Sequence, residues 1–270
     1  MSLKTLIKSG FMLEIYFYKN NRAAFLAMFL WPYLMLALIL GMGYFFGSPG
    51  AFKQNVQMDV DPVIYYVAST LVAMSALDVM WGVGGNIMWY RWSGTLPYIL
   101  LSPNRTSTTL IFSYIPRYLL GAFIQLAEFM PLIIIIEGFS SGLMKIGVLV
   151  LAITVGMIPL LGFSALFASF LITIEEETNV LSWLNPLILL FSGAFYPAYL
   201  LPYWARFISQ ILPTTYTVEL ARVAAIIGAP KLAPITFFIG ILLGIALVYN
   251  FLAYLFMGYG EKKAMERGAI

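Results

Sequence analysis

The sequence contains no cysteine, no histidine and few charges: only 10% of its 270 residues are Asp, Glu, Lys or Arg. Without cysteine there is no disulfide framework and no thiolate metal site. Without histidine the commonest metal ligand and the commonest acid–base side chain are missing as well. Most enzyme chemistries thereby lose their usual parts. The net charge of +3 is scattered along the chain, which leaves no basic face for nucleic acid. Apolar residues are in excess at 61% of the chain, far beyond a soluble domain with a charged coat. Composition therefore predicts an all-α polytopic membrane protein, a single transmembrane domain over residues 1–270 with no separate soluble domain.

The first stretch, MSLKTLIKSGFMLEIYFYKNNR (1–22), has Lys4, Lys8, Glu14 and Lys19 breaking its apolar run, and no small-residue cleavage site follows. Leu3, Leu6, Ile7, Gly10 and Phe11 recur at helical spacing while Lys4 and Lys8 fall on another face, which predicts an amphipathic helix lying in the headgroup region. A span needs about 20 apolar residues at about 1.5 Å of rise each. Six stretches meet this: Ala23–Phe46, Val63–Met88, Leu110–Ile136, Ile146–Ile174, roughly Glu177–Tyr196, and Ile235–Met257. They are long and continuous, unlike the alternating segments of about ten residues in a strand barrel. The expected organisation is an interfacial helix (1–22), a six-helix bundle (23–257) and a tail (258–270).

Six spans place both termini on one side, and the Lys/Arg bias chooses the side. Lys4, Lys8, Lys19, Arg22, Arg91, Arg105, Lys262, Lys263 and Arg267 share one face, against Lys53, Lys145, Arg206, Arg222 and Lys231 on the other. Both ends are expected to be cytoplasmic, in a multi-pass plasma-membrane protein.

Two connections are unusual. WYRWSGTLPYILLSPNRTSTTL (89–110) holds a short apolar stretch, Thr95–Leu101, between Gly94 and the breaker pair Ser102-Pro103. It predicts a stub helix across the membrane face whose Leu96, Tyr98, Ile99 and Leu100 need a cover of lipid, bundle or a second protein. The other, FSGAFYPAYLLPYWARFISQILPTTYTVELARVAAIIG (191–228), breaks at Ser192-Gly193 and bends at Pro197 and Pro202. It then offers two short helices separated by Pro213. Tyr203, Trp204, Phe207, Ile208, Ile211 and Leu212 form the apolar face of the first. Tyr216, Leu220, Val223 and Ile227 form that of the second, with Thr214 or Thr215 as its cap and Glu219 one turn from Arg222. Such helices either anchor the loop in the outer leaflet or dip in and return.

RWSGTLPYILLSP (91–103) resembles the signature of ABC-2 type transporter permeases, and FSGAFYPAYLLPYWARFISQILPTTYTVELAR resembles that family's second pattern of Ser-Gly, aromatic-Pro, Leu-Pro and terminal Arg. The two motifs stand in the family's order, and the likeness covers essentially the whole chain. The resemblance implies one half of an exporter: two permease copies, paired as a homodimer, each docking one of two ATP-binding subunits that hold ATP and Mg²⁺. This chain has no G-x-x-x-x-G-K-[ST] of its own, so it is expected to be a transport subunit without ATPase activity and without a bound cofactor or metal. Carried onto this sequence, the resemblance makes 94–103 a coupling helix (Gly94, Thr95, Leu96, Tyr98, Ile99, Leu100, Ser102, Pro103) with Arg91 or Arg105 orienting it by charge. Glu175, Glu176 and Glu177 would be a lesser contact with the ATPase, or simply an acidic helix start favoured by the dipole. Gly193, Tyr196, Pro197, Pro202, Tyr203, Trp204 and Pro213 would belong to an outer gate.

Asp78, Arg117 and Glu128 lie inside predicted spans, where a charge costs roughly 2.5–3.5 kcal/mol, so they are expected to face protein or water. Asp78 and Arg117 are at similar depths and are expected to pair, as a tie between two helices or as a means of transmission; a snorkelling Arg117 is the alternative. With few intramembrane charges, the expected cargo is amphipathic, drug-like or lipid, with a lipid-linked glycan as the alternative. An intramembrane transferase would need paired acidic motifs or His, and a secondary carrier would commonly show an internal repeat; none of these is visible.

Overall fold

The computed structural model describes residues 3–46, 60–102, 104–173, 180–195 and 197–266. Helix α1 (Leu3–Asn20) and helix α2 (Arg22–Phe46) are separated only by Asn21. Asp61 starts the next helix: its carboxylate accepts from the Val63 and Ile64 amides at 2.9 and 3.0 Å, and Pro62, with no N–H to leave orphaned, takes the first position. That helix, α3, runs Pro62–Trp92 and contains a π-helical turn at Met80–Gly84. Then come α4 (Leu96–Leu100), α5 (Thr106–Glu137), α6 (Phe139–Thr173), α7 (Val180–Phe191), α8 (Tyr203–Ile211), α9 (Pro213–Arg222) and α10 (Leu232–Glu266). Among the described residues the only extended pairing is one bridge, Val60 to Ile226.

Four of these helices, α3, α5, α6 and α10, are long and apolar enough to cross a membrane. Their directions follow from contacts at the two ends. At one end Arg91 of α3 donates to the Leu171 and Ile172 carbonyls of α6 at 3.0 and 3.1 Å, and Glu261 of α10 accepts from the Thr106 amide at 2.8 Å, capping α5. At the other end the Asp61 amide donates to Ala225 O at 2.9 Å, and Glu137 meets Lys145 at 2.6 Å across the α5–α6 corner. The corner is one residue, Gly138, whose φ of 78° is open to glycine. Helices α3, α6 and α10 therefore run one way and α5 the other. Most of α3 is buried, from Ile64 through Val79, which makes it the axis of the core.

The remaining segments follow this frame. Helix α2 climbs along α5, where the Tyr33 hydroxyl donates to Glu128 O and its ring lies 5.2 Å from that of Phe129. Leu171 is tied to Arg91, while Gly193 O is tied through Arg222 to Ser69. Ser69 and Arg91 are separated by about 33 Å of α3 at 1.5 Å per residue. The chain covers that length between residues 171 and 193, with the twelve-residue α7 on the way.

Helices α3, α5 and α10 overrun the expected spans at both ends and α6 at its start, where cap and ion-pair contacts carry them on, whereas α7 (Val180–Phe191) is shorter than the expected Glu177–Tyr196. Two expected loop charges are instead inside the bundle: Lys145, fully buried against Glu137, and Arg222, 5% exposed. Helix α9 also departs from expectation. It is not a surface helix with one apolar face; Thr214, Thr215, Thr217, Val218, Leu220, Ala221 and Arg222 are all buried. Its start has no side-chain cap, and Thr215 turns back instead to donate to Ser209 O of α8 at 2.7 Å.

Candidate functional site

Met-Trp-Gly-Val-Gly at 80–84 is a poor α-helical sequence, with Gly85 following, and there α3 widens into its π turn. A widened turn displaces the usual i→i−4 partners of nearby carbonyls, which then need other donors. Tyr114 of α5 supplies one, its hydroxyl lying 2.5 Å from Asp78 O and 2.7 Å from Asp78 Oδ2. Ser164 of α6 supplies the other, donating to Val79 O at 2.9 Å. The Tyr114 ring lies on Gly82 so closely that any Cβ there would overlap it.

Beside the turn, α1, α2, α3 and α5 border an open cavity of about 550 Å³ lined by Phe17, Tyr18, Met28, Met74, Leu77, Asp78, Trp81, Arg117, Gly121 and Gln125. Asp78 and Arg117 thus line the same cavity as opposite charges, while the shortest polar contacts of each are with other residues. Asp78 accepts from Tyr114, and Arg117 Nε lies 3.9 Å from Glu14 Oε1 of α1. Glu14 is buried with Leu6 and Gly10 on the face of α1 that packs on α5, and a Cβ at Gly10 would clash with Ser113 O. Burial pushes the Glu14 carboxyl above the usual range, against the opposing pull of Arg117 and a hydrogen bond from Tyr18. Glu128, the third intramembrane charge, is buried on α5, and its carboxylate oxygens have no hydrogen-bond partner among the described residues.

The expected coupling segment divides into anchors and a protruding edge. Gly94 has φ 66° and turns the chain, the Thr95 amide donates to Tyr90 O at 2.8 Å, and α4 follows. Of the four side chains that need a cover, Leu96 and Leu100 take it from the bundle: at 2% and 8% exposure they belong to the main core. Tyr98 and Leu101, at 77% and 64%, point away from it, and Ile99 is half-buried. Ser102 Oγ donates to Asn104 O, closing the segment; Pro103 lies outside the described residues. Arg91 is held by the end of α6, and the Arg105 guanidinium lies 4.4 Å from the centre of the Tyr254 ring. Glu175, Glu176 and Glu177 fall outside the described residues, as does Tyr196.

At the opposite end, Gly193 turns the chain after α7, Pro197 is buried ahead of a 3₁₀ turn, and Pro202 precedes α8. Tyr203, Trp204 and Phe207 of α8 are 89%, 64% and 64% exposed, while Ala205 and Ser209 face inward. Pro213 opens α9. The hub of this end is Arg222, whose expected partner was Glu219 alone. It meets Glu219 at 2.9 Å, donates to Ser69 Oγ at 2.8 Å and Ala194 O at 3.1 Å, donates to Gly193 O, and lies 4.2 Å from the centre of the Tyr65 ring.

Sequence reasoning missed the π turn, Tyr114, Ser164 and the inward face of Glu14. Two signals were present: three glycines within four residues at 82–85, and Leu6, Gly10 and Glu14 at i, i+4, i+8. Among the described residues no group of three acidic side chains is placed to hold a metal ion. No family model matches the chain, and no curated protein matches it either.

Proposed function

We propose that the chain is the transmembrane permease subunit of an ATP-driven exporter of the ABC-2 type, working as a pair of copies with two separate ATP-binding subunits. The observation that carries this reading is α4: Leu96 and Leu100 are rooted in the core while Tyr98 and Leu101 stand out from it, just after the Arg91-to-Gly94 turn. A protruding aromatic–aliphatic pair on a rooted stub suits a partner's cleft, and rooting gives it a rigid connection to α3 and α5. The six-span arrangement adds α2 and the 171–193 passage to the four long helices. In this reading the end that carries Arg91, Arg105, Lys262 and Lys263 faces the cytoplasm, in keeping with the Lys/Arg bias of the sequence. The cargo in this reading is amphipathic, since the cavity by the π turn is lined by both charged and apolar side chains.

Co-expression with candidate ATP-binding subunits tests the reading. Tyr98→Ala combined with Leu101→Asp is expected to abolish co-purification of the ATPase while the permease itself still elutes as a monodisperse species. Leu100→Asp is a fold-breaking control rather than a docking probe, because Leu100 is a core residue. Undiminished docking by the Tyr98/Leu101 double variant contradicts the proposal.

A further inference from the structure

The geometry points to the cavity beside the π turn as a binding site for lipophilic organic cations. Its charged neighbourhood is unbalanced: Asp78 lines it, Glu14 lies buried behind Arg117 at 3.9 Å, and one guanidinium faces two carboxylates. A monocation completes that set. Around Asp78 the walls are those an organic cation uses, since Phe17, Tyr18 and Trp81 offer aromatic faces that attract positive charge. Met28 and Met74 add adaptable apolar surface for the body of such a ligand. Gln125 also lines the cavity, and its Oε1 is buried without a hydrogen-bond partner among the described residues, an acceptor suited to an ammonium N–H. A volume of about 550 Å³ lies within the range of small-molecule sites.

The ligand chemistry, a positive head on an apolar body, is shared by free amphipathic amines and by the ethanolamine headgroup of membrane lipid. As the cargo class of an exporter the inference rests on the proposed function. As a binding site it belongs to the isolated chain and needs no ATPase, so the two fail separately.

Equilibrium binding of radiolabelled tetraphenylphosphonium to the purified full chain in an uncharged maltoside detergent tests it, with tetraphenylborate as a probe of the same shape and opposite charge. Saturable binding of one cation per chain is expected, with none of the borate. Asp78→Asn is expected to weaken binding at least tenfold. Gly121 gives a second handle independent of charge. A Cβ there meets only Met28 Cε at 3.6 Å and Asp78 Oδ2 at 3.9 Å, so Gly121→Ala fits, whereas Gly121→Leu extends into the cavity and is expected to abolish binding. Adding phosphatidylethanolamine distinguishes the sources: displacement of the probe makes the lipid amine the occupant, and no displacement leaves free amphipathic cations. Absence of saturable binding, equal binding of the borate, or full binding by folded Gly121→Leu overturns the inference.

Discussion

Arg222 sits where several demands on one side chain meet, and its loss is correspondingly costly. Its guanidinium ties α9 to Ser69 of α3 and to the carbonyls that follow α7, beside Glu219. Arg222→Ala leaves a carboxylate and two carbonyls without their donor, and breaking a buried pair in this way costs about 3–5 kcal/mol; a large fall in the detergent melting temperature is expected, with partial retention in Arg222→Lys. Tyr114 is a smaller case of the same kind. Tyr114→Phe keeps the ring on Gly82 but removes the donor to Asp78 O, and the expected loss is about 1–3 kcal/mol by the same melting assay. Glu14 adds a pH dependence. Its carboxyl is raised above the ordinary 4.5, so the folded state holds this proton more tightly than the unfolded chain does. The contribution of Glu14 to α1 docking is complete below that ordinary value and declines as pH rises through the raised one. Amide-exchange protection of residues 3–20 should therefore fall with rising pH over that interval, and Glu14→Gln should flatten the trend.

Helices α8 and α9 stand side by side in sequence yet obey different rules. Both motifs have helical spacing and a proline start, and from sequence both read as amphipathic helices at a surface. For α8 the reading holds, because Tyr203, Trp204 and Phe207 do turn outward. For α9 it fails because Thr215 and Thr217 are buried with their hydroxyls satisfied locally, Thr215 donating to Ser209 O at 2.7 Å and Thr217 to Pro213 O at 2.8 Å. Periodicity likewise found α4 but did not separate the covered Leu96 and Leu100 from the protruding Tyr98, since in five residues the pattern cannot say which edge the bundle covers. The apolar runs made the long helices legible; the π turn was not, because it depends on hydroxyls brought from α5 and α6, 36 and 85 residues away. The Ser209 and Thr215 hydroxyls lie 3.2 Å apart across the α8–α9 turn. A Ser209→Cys/Thr215→Cys pair is therefore expected to close a disulfide on oxidation. If α8 moves as an outer gate, transport should stop in the oxidised form and return on reduction, with ATPase docking unchanged throughout.

At the scale of the molecule, the lack of any cysteine makes side-specific labelling direct. Ser140, exposed beside the α5–α6 corner, and Thr95, exposed beside α4, are at opposite ends of the bundle. Single variants Ser140→Cys and Thr95→Cys in sealed vesicles should react with an impermeant maleimide from opposite sides, and labelling of both from one side would refute the arrangement of spans. The packing of α6 against α10 has a consequence for synthesis. Gly162 receives Asn250, whose Nδ2 donates to Ile158 O at 3.1 Å, and Glu261 caps Thr106 from 155 residues further along the chain. While the ribosome is still making α10, the notch at Gly162 and the start of α5 are both without their final partners. The growing protein is thus held open along one flank until α10 is threaded in, and that interval is when a chaperone or insertase has most to protect.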